Sequence, residues 1–268
     1  MSRKDTLQTL LSRDRWIVGG CLAILCLTAA IWLVRYPGAM PMPSQAAAMP
    51  GMDMSAGPAA AHPVADWLGA FVMWMVMMVA MMLPSAAPMI LLYSAFARGV
   101  KAQGAVLAPT LVFAGVYLLL WAAFSALAAA AQVLLVQARL LSSGTLRLEG
   151  GRIAGALLAA AGLYQLTPIK RACLRQCRSP LSFVSRLWRP GWVGAARLGL
   201  AHGAFCIGCC WMLMALLFVG GVMSLAWVAV LAVVVLIEKV APIGDRGARA
   251  VGWAAAAAGA AMLLWPGG

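Results

Sequence analysis

Residues 197–214 read RLGLAHGAFCIGCCWMLM, an apolar stretch long enough to belong to a bilayer-crossing helix. It carries His202, Cys206, Cys209 and Cys210. On a helix that turns about 100° per residue, the three cysteines lie within about 80° of the histidine. The stretch therefore predicts a membrane helix that presents a stripe of soft metal ligands or of redox-active thiols.

The composition of the whole chain is typical of a membrane protein. Of the 268 residues, 64% are hydrophobic and 10% are charged, which excludes an ordinary soluble globular protein. The net charge of +13 does not indicate nucleic-acid binding, because the basic residues lie between apolar segments. The seven cysteines favour metal or redox chemistry over a secreted disulfide framework. We expect an all-α, polytopic bundle of about seven transmembrane helices in a lipid bilayer.

Changes in composition divide the chain into three regions. Residues 1–35 are predicted to be an N-terminal membrane anchor, in which a basic segment precedes an apolar run. No small-x-small motif ends that run, so we expect a retained helix and not a cleaved signal peptide. Residues 36–66 are predicted to be an extended linker, because they are rich in Pro, Ala and Gly and have no periodicity. Residues 67–268 are predicted to be a six-helix, metal-binding membrane domain.

The linker contains methionines that packing does not explain. Met49, Met52 and Met54 lie in the sequence MPGMDMS, which resembles the methionine motifs in the ectodomains of eukaryotic copper transporters. A solvated linker gains nothing by packing thioethers, whereas unprotonated thioethers suit Cu(I) in an oxidising compartment. The sequence predicts that this linker captures Cu(I). A low-complexity linker with incidental methionines is the alternative.

The second predicted span, which begins at residue 67, is dense in methionine. Packing into irregular gaps between helices explains any single methionine, but one stripe would be enough for packing. Pro84 and Pro88 interrupt the backbone hydrogen bonds, and a broken helix at membrane depth borders a cavity or a moving part. The methionines form two stripes: Met73, Met77 and Met81, and Met75, Met78 and Met82.

The methionine span and the cysteine span are expected to meet near the centre of the membrane. With the N-terminus in the cytoplasm, all but four of the 20 Lys and Arg residues fall on the cytoplasmic side, as the positive-inside rule requires. This orientation in a bacterial inner membrane puts the linker in the periplasm. At about 1.5 Å per residue, the midpoints of the two spans fall near Ala80 and Ile207. Four methionines are then level with the three cysteines, and these are Met77, Met78, Met81 and Met82.

Such a site would combine thioether, thiolate and imidazole ligands, which suit Cu(I) best and other soft metals less well. The third predicted span, residues 105–137, shows no candidate functional residue. Glu238 is expected to form an ion pair at the membrane interface, and a role as a metal or proton acceptor is the alternative.

A basic segment on the cytoplasmic side holds a further pair of thiols. Cys173 and Cys177 are four residues apart, so a helix places both on one face. Six basic residues and no acidic residue lie within residues 170–189, which favours anchoring on anionic lipid. We expect their field to lower the pKa of both thiols and so to favour a metal-binding thiolate.

Three sequence blocks occur in a fixed order within residues 67–245. They read MWMVMMVAMMLPSAAPM, YQLTPIKRACLRQC and RLGLAHGAFCIGCCWMLMALLFVGGVMSLAW, and Glu238 and Lys239 follow. In these blocks the chain resembles a family of bacterial integral membrane proteins of unknown function that are catalogued as predicted metal-binding membrane proteins. The resemblance implies a metal association for the opening stretch and for the methionine-rich span, and it implies no established reaction.

The preferred hypothesis is a copper-handling protein that is not an enzyme. It captures Cu(I), stores or translocates it through the intramembrane site, and passes it toward Cys173 and Cys177. A periplasmic or cytoplasmic copper chaperone, or a copper enzyme, would be its partner. No Walker-type motif occurs in the sequence, so transport would be passive, ion-coupled or chaperone-assisted.

Two alternatives belong to other functional classes. The first is a membrane thiol-disulfide oxidoreductase that uses Cys206 and Cys209 as a C-x2-C redox pair. Burial near the membrane centre, far from protein substrates, weighs against it. The second is an accessory subunit that assists the assembly of a copper or haem enzyme.

Overall fold

The computed structural model describes residue 31 and residues 63–99, 107–142, 144–241 and 244–265. Within these ranges the regular elements are helices, and the β-pairing consists of an isolated bridge between Leu141 and Leu148. The predicted all-α class is confirmed for the described residues. The predicted linker site with Met49, Met52 and Met54 lies outside them, as does the predicted anchor apart from residue 31.

The helices follow one another through short connections. Pro168 and Pro180 begin two of them, because proline lacks the backbone N–H that the first turn does not need. Thr167 caps the first of these helices by accepting a hydrogen bond from the backbone N–H of Lys170 at 3.2 Å. In chain order the helices are α1 Pro63–Gly99, α2 Leu107–Gln137, α3 Gly151–Leu166, α4 Pro168–Arg178, α5 Pro180–Leu187, α6 Gly191–Ala215, α7 Leu217–Gly220, α8 Leu225–Val240 and α9 Gly244–Leu264.

Four segments of the described chain are long and apolar enough to cross a membrane: Asp66–Ala97, Pro109–Gln137, Gly191–Gly220 and Arg246–Leu264. The expectation of about seven spans is therefore not confirmed. Helices α3 and α8 have 16 residues each, so they are about 24 Å long, whereas a bilayer core is about 30 Å thick. The first predicted span lies in the part of the chain that is not described.

Helix α6 packs against α2 and α4, and glycine makes both contacts close. A Cβ atom on Gly199 would lie 2.6 Å from the carbonyl oxygen of Phe113 on α2. A Cβ atom on Gly203 would lie 2.4 Å from Cδ1 of Leu120, and one on Gly208 would lie 3.0 Å from Sγ of Cys173. Helix α6 thus approaches α2 closely at Gly199 and Gly203, and it approaches α4 closely at Gly208.

Helices α3 and α9 meet along a second seam of small residues. A Cβ atom on Gly162 would lie 2.3 Å from the backbone nitrogen of Ala256, and one on Gly259 would lie 2.4 Å from that of Ala159. The two backbones are therefore in direct contact, as in small-residue packing of membrane helices.

Candidate metal centre

The sulfur atoms of α1 and α6 meet in the buried core. Cys210 Sγ donates a hydrogen bond to Met82 Sδ across 3.8 Å. Cys206 lies one turn before Cys210, and the Cys210 thiol also donates to the Cys206 carbonyl at 3.0 Å. All three side chains are almost completely buried. We call Met82, Cys206 and Cys210 the sulfur cluster.

Oxygen atoms from α1 and α2 surround the sulfur cluster. The Tyr117 hydroxyl lies 3.2 Å from Cys206 Sγ, and it also donates to the carbonyl of Met82 at 3.2 Å. Ser85 Oγ donates to the same carbonyl at 2.8 Å. These bonds connect Met82 and Cys206 close to Pro84 and Pro88. The predicted break in this span is absent, because α1 continues through both prolines as one helix from Pro63 to Gly99.

A lysine ammonium group lies against the sulfur cluster. Lys239, from the last turn of α8, donates to Cys206 Sγ at 3.0 Å and to Ser85 Oγ at 3.1 Å. Its Nζ atom is also 3.7 Å from Met82 Sδ. The residue is only 7% exposed, so the positive charge of Lys239 is directed at the sulfur atoms and not at solvent.

The residue before Lys239 belongs to a buried ion pair. Glu238 Oε2 accepts a hydrogen bond from Lys170 Nζ at 2.6 Å, and Oε1 accepts one from Gln165 Nε2 at 2.8 Å. The expected ion pair of Glu238 is present, but both side chains are almost fully buried and do not lie at an exposed interface. The pair ties α3, α4 and α8 together beside the sulfur cluster.

Cys209 faces a different neighbour from the sulfur cluster. Its thiol donates to the carbonyl of Cys206 at 3.1 Å, and its electrostatic neighbours include Cys210 and Cys177. Since Cys206 and Cys210 are also electrostatic neighbours, the thiols form a chain of neighbouring groups from α6 to α4. The sequence hypothesis treated Cys173 and Cys177 as a separate site on the cytoplasmic side, whereas α4 lies directly against α6.

The expectation that the basic segment lowers the pKa of Cys173 and Cys177 is wrong. Burial against α6 raises the pKa of the Cys173 thiol. The hydrogen bond with Cys209 raises the pKa of Cys177, and desolvation raises it further. The basic side chains Arg171 and Arg175 of α4 are exposed, so water screens their charge from the two half-buried thiols.

His202 lies among aromatic rings. Its ring centroid is 5.4 Å from that of Tyr117 and 6.0 Å from those of Phe113 and Phe183. Among the described residues, nothing hydrogen-bonds to its buried Nε2 atom. Tyr117 touches both groups, because its ring lies near that of His202 and its hydroxyl lies 3.2 Å from Cys206 Sγ.

Of the six methionines in the two predicted stripes, Met75 is partly buried and the other five are buried. Among their described interactions, the polar contact with a cysteine is made by Met82. The remaining four are packed in the hydrophobic core with 0–5% exposure, namely Met73, Met77, Met78 and Met81. In the described part of the chain, no three His, Cys, Asp or Glu side chains converge on one point as in a preformed metal site.

Sequence reasoning did not identify Lys239 or Tyr117 as contacts of Cys206, or Ser85 as a contact of Lys239. A lysine at the end of an apolar helix is usually an interface anchor, and a single tyrosine in an Ala- and Leu-rich span carries no motif. The serine follows Pro84, and a hydroxyl beside a proline that removes a backbone hydrogen bond is the one signal that the sequence offers.

Residues 71–262 match a family model described as PpoB2, copper chaperone. The matched segment contains the sulfur cluster, Cys209, both thiols of α4 and Lys239. No curated protein matches the chain significantly, and no solved structure does so.

Proposed function

The chain belongs to the PpoB2 family of copper chaperones, and from that premise we propose that it holds Cu(I) at the sulfur cluster within a bacterial inner membrane and hands it on through its thiols. Copper is the metal that this family handles. The proposal assigns a binding site, a route and a location to that cargo.

The observation that carries the proposal is the contact between Met82 and Cys210, with Cys206 one turn away. A thioether and two thiols are soft donors, and they select Cu(I) over harder cations. Cu(I) is satisfied by two or three sulfur ligands, so it does not need the larger His, Cys and carboxylate set that a structural zinc ion requires. Burial in an apolar helix core also protects thiolate-bound Cu(I) from water and oxidants.

Exposed apolar faces support a membrane location. Along α2, four leucines at intervals of seven or eight residues are 61–72% exposed, which are Leu111, Leu119, Leu127 and Leu134. On a helix that turns about 100° per residue, these positions spread over an arc of about 160°, which is nearly half of the helix surface. A broad exposed apolar face of this kind is unfavourable in water and suited to lipid tails.

The chain of thiols supports a direction for transfer. The predicted linker methionines Met49, Met52 and Met54 would capture Cu(I) outside the cytoplasm, and the sulfur cluster would receive it. Cys209 would then pass the ion to Cys177 through their contact. A copper enzyme under assembly or a second copper chaperone would take it from there.

A second candidate function rests on that same contact between α4 and α6. Cys177 and Cys209 lie on different helices and are electrostatic neighbours, so this pair suits a dithiol–disulfide exchange better than Cys206 and Cys209, which lie on one helix. Its oxidation would release two protons and two electrons to a quinone-class acceptor. The five described cysteines form no disulfide with one another.

The test is metal analysis of the protein purified in detergent and loaded anaerobically with Cu(I). We expect the wild type to retain copper with sulfur ligation in X-ray absorption at the copper edge. The combined Cys206→Ser, Cys209→Ser, Cys210→Ser variant should retain at most a background amount. Equal copper retention by both proteins would refute the site, and a redox-dependent Cys177–Cys209 disulfide without copper retention would favour the oxidoreductase.

A further inference from the structure

Lys239 is a cation that lies where a metal ion would bind. Its Nζ atom contacts Cys206 and Met82, two of the three members of the sulfur cluster. Three donors on the ammonium group meet three acceptors, since Ser85 Oγ completes the set. Lys239 lies in the last turn of α8, and these three contacts are the hydrogen bonds described for its side chain.

Among the side chains that the structure describes, no carboxylate pairs with the buried ammonium group of Lys239. The neighbouring Glu238 directs both oxygens away from Lys239, one to Lys170 and one to Gln165. A buried ammonium without a paired carboxylate is costly unless other groups compensate it. Here the compensating groups are sulfur and hydroxyl lone pairs, the same Cys206 and Met82 lone pairs that a soft metal would use.

We propose that Lys239 is a placeholder cation: its ammonium group fills the copper position in the metal-free protein, and Cu(I) must expel it to bind. This inference rests on the proposed function, because it concerns the same sulfur cluster. It adds that the affinity for copper is set by competition within the protein as well as by the number of ligands.

The geometry makes the two cations mutually exclusive. A thiolate–metal bond is about 2.3 Å long, so a copper ion bound by Cys206 and Met82 would lie within the space that Nζ now occupies at 3.0 Å and 3.7 Å from the two sulfurs. Both cations also carry one positive charge and would repel each other at such a distance. One therefore leaves when the other arrives.

The position of Lys239 gives the ammonium group a way out. The helix ends at Val240, and Ala241 already has an extended backbone. A flexible four-carbon stem at a helix end can carry its ammonium group toward the polar boundary while the stem stays on apolar surface. Return of the ammonium to Cys206 would then assist release of copper to Cys209 and Cys177, which is the behaviour that a chaperone requires.

The spacing of the sulfur atoms agrees with a bound ammonium group in place of a metal ion. With the ammonium group between Cys206 and Met82, the sulfur atoms are arranged around a hydrogen-bonded cation with contacts of 3.0 Å and longer. Removal of that cation frees the lone pairs for shorter metal bonds.

The first experiment compares Cu(I) affinities of wild type, Lys239→Met, Lys239→Gln and Lys239→Arg in detergent. Affinity is measured by competition with bathocuproine disulfonate under argon. We expect the two neutral variants to bind Cu(I) at least tenfold more tightly, and the arginine variant to bind no more tightly than wild type. The glutamine variant separates the loss of charge from any extra thioether ligand in the methionine variant.

The second experiment uses the wild-type protein and keeps the test valid if a neutral variant fails to fold. The chain has four lysines, so 15N-lysine labelling gives few side-chain NMR signals, and Lys239→Arg identifies the signal of Lys239. We expect one equivalent of Ag(I), a redox-inert substitute for Cu(I), to shift this signal more than the other three.

The outcomes separate this inference from the proposed function. If wild type binds no copper through the cysteines, both fail. If wild type binds copper but the neutral variants bind it equally or more weakly, the placeholder role is wrong and the copper site stands. An unchanged Lys239 signal on Ag(I) binding likewise overturns the placeholder role alone.

Discussion

Glycine brings helices close together in two regions of this protein, but the atoms that meet there differ. At the α3–α9 seam, a Cβ atom on Gly162 or Gly259 would meet backbone atoms within 2.4 Å. On α6, a Cβ atom on Gly203 or Gly208 would instead meet side chains, and at Gly208 the neighbour is the thiol of Cys173. At Gly162 and Gly259 the seam therefore joins two backbones. Helix α6 also meets a backbone at Gly199, but around Gly208 it leaves room for a reactive side chain.

The α3–α9 seam is a packing contact, whereas the contacts of α6 also bring together the residues of the proposed copper site. At the α3–α9 seam, the small residues pack so closely that no space remains for a functional side chain. The α6 region pairs similarly close approach with three thiols, a thioether and the buried charge of Lys239. Gln165 connects the two regions, because its Cβ atom is 2.8 Å from a Cβ placed on Gly252 while its amide donates to Glu238.

The largest effect is expected for Glu238→Ala, which would leave the ammonium of Lys170 buried without its partner. Removing one member of a buried ion pair costs about 3–5 kcal/mol of stability. We expect a correspondingly lower midpoint of unfolding in a detergent denaturation series. A double variant with Lys170→Met and Glu238→Met should recover most of the loss, since it removes both charges. If the double variant is no more stable than Glu238→Ala, the charge explanation is wrong.

A smaller effect is expected at the seam. Gly162→Ala forces a methyl group against the backbone of Ala256, so α3 and α9 must separate, at a cost of about 1–3 kcal/mol. Gly115→Ala on α2 is the matched control, because a Cβ atom there meets nothing within 4 Å, and it should stabilise by about 0.5–1 kcal/mol. Copper affinity should be unchanged in both variants. A loss of copper binding in Gly162→Ala would show that the two regions are coupled.

Much of the fold can be predicted from the sequence, because the length of each apolar segment can be read directly from it. The long segments around Met82 and Cys206 are recognisable as helices from hydrophobicity alone, and their estimated depths bring a methionine to the cysteines. Helix length also explains why the described residues contain fewer candidate membrane spans than the sequence predicts. Helices α3 and α8 are too short to cross a bilayer unaided.

The contacts within the candidate site are less predictable, because helical periodicity assigns a face but not a neighbour. The stripe on α6 contains His202, yet the aromatic rings of Phe113, Tyr117 and Phe183 surround it. The sequence likewise puts Cys177 on one face of a helix without showing that α4 folds back onto α6. That arrangement is decided by tertiary packing at Gly208, where the absence of a side chain admits Cys173.

The smallest effect sharpens the distinction between chemistry and packing within a single helix. Met82 and Met77 are equally buried on α1, at 1% exposure each, but only Met82 contacts a cysteine thiol among their described interactions. Leucine keeps the volume of methionine and removes the sulfur, so each replacement should cost less than about 1.5 kcal/mol of stability. If Met82 is a ligand, Met82→Leu should weaken Cu(I) binding about tenfold, or about 1.4 kcal/mol, and Met77→Leu should leave it unchanged. Equal losses in the chelator competition would mean that methionine acts through general packing, and the distinction drawn at Met82 would have to be abandoned.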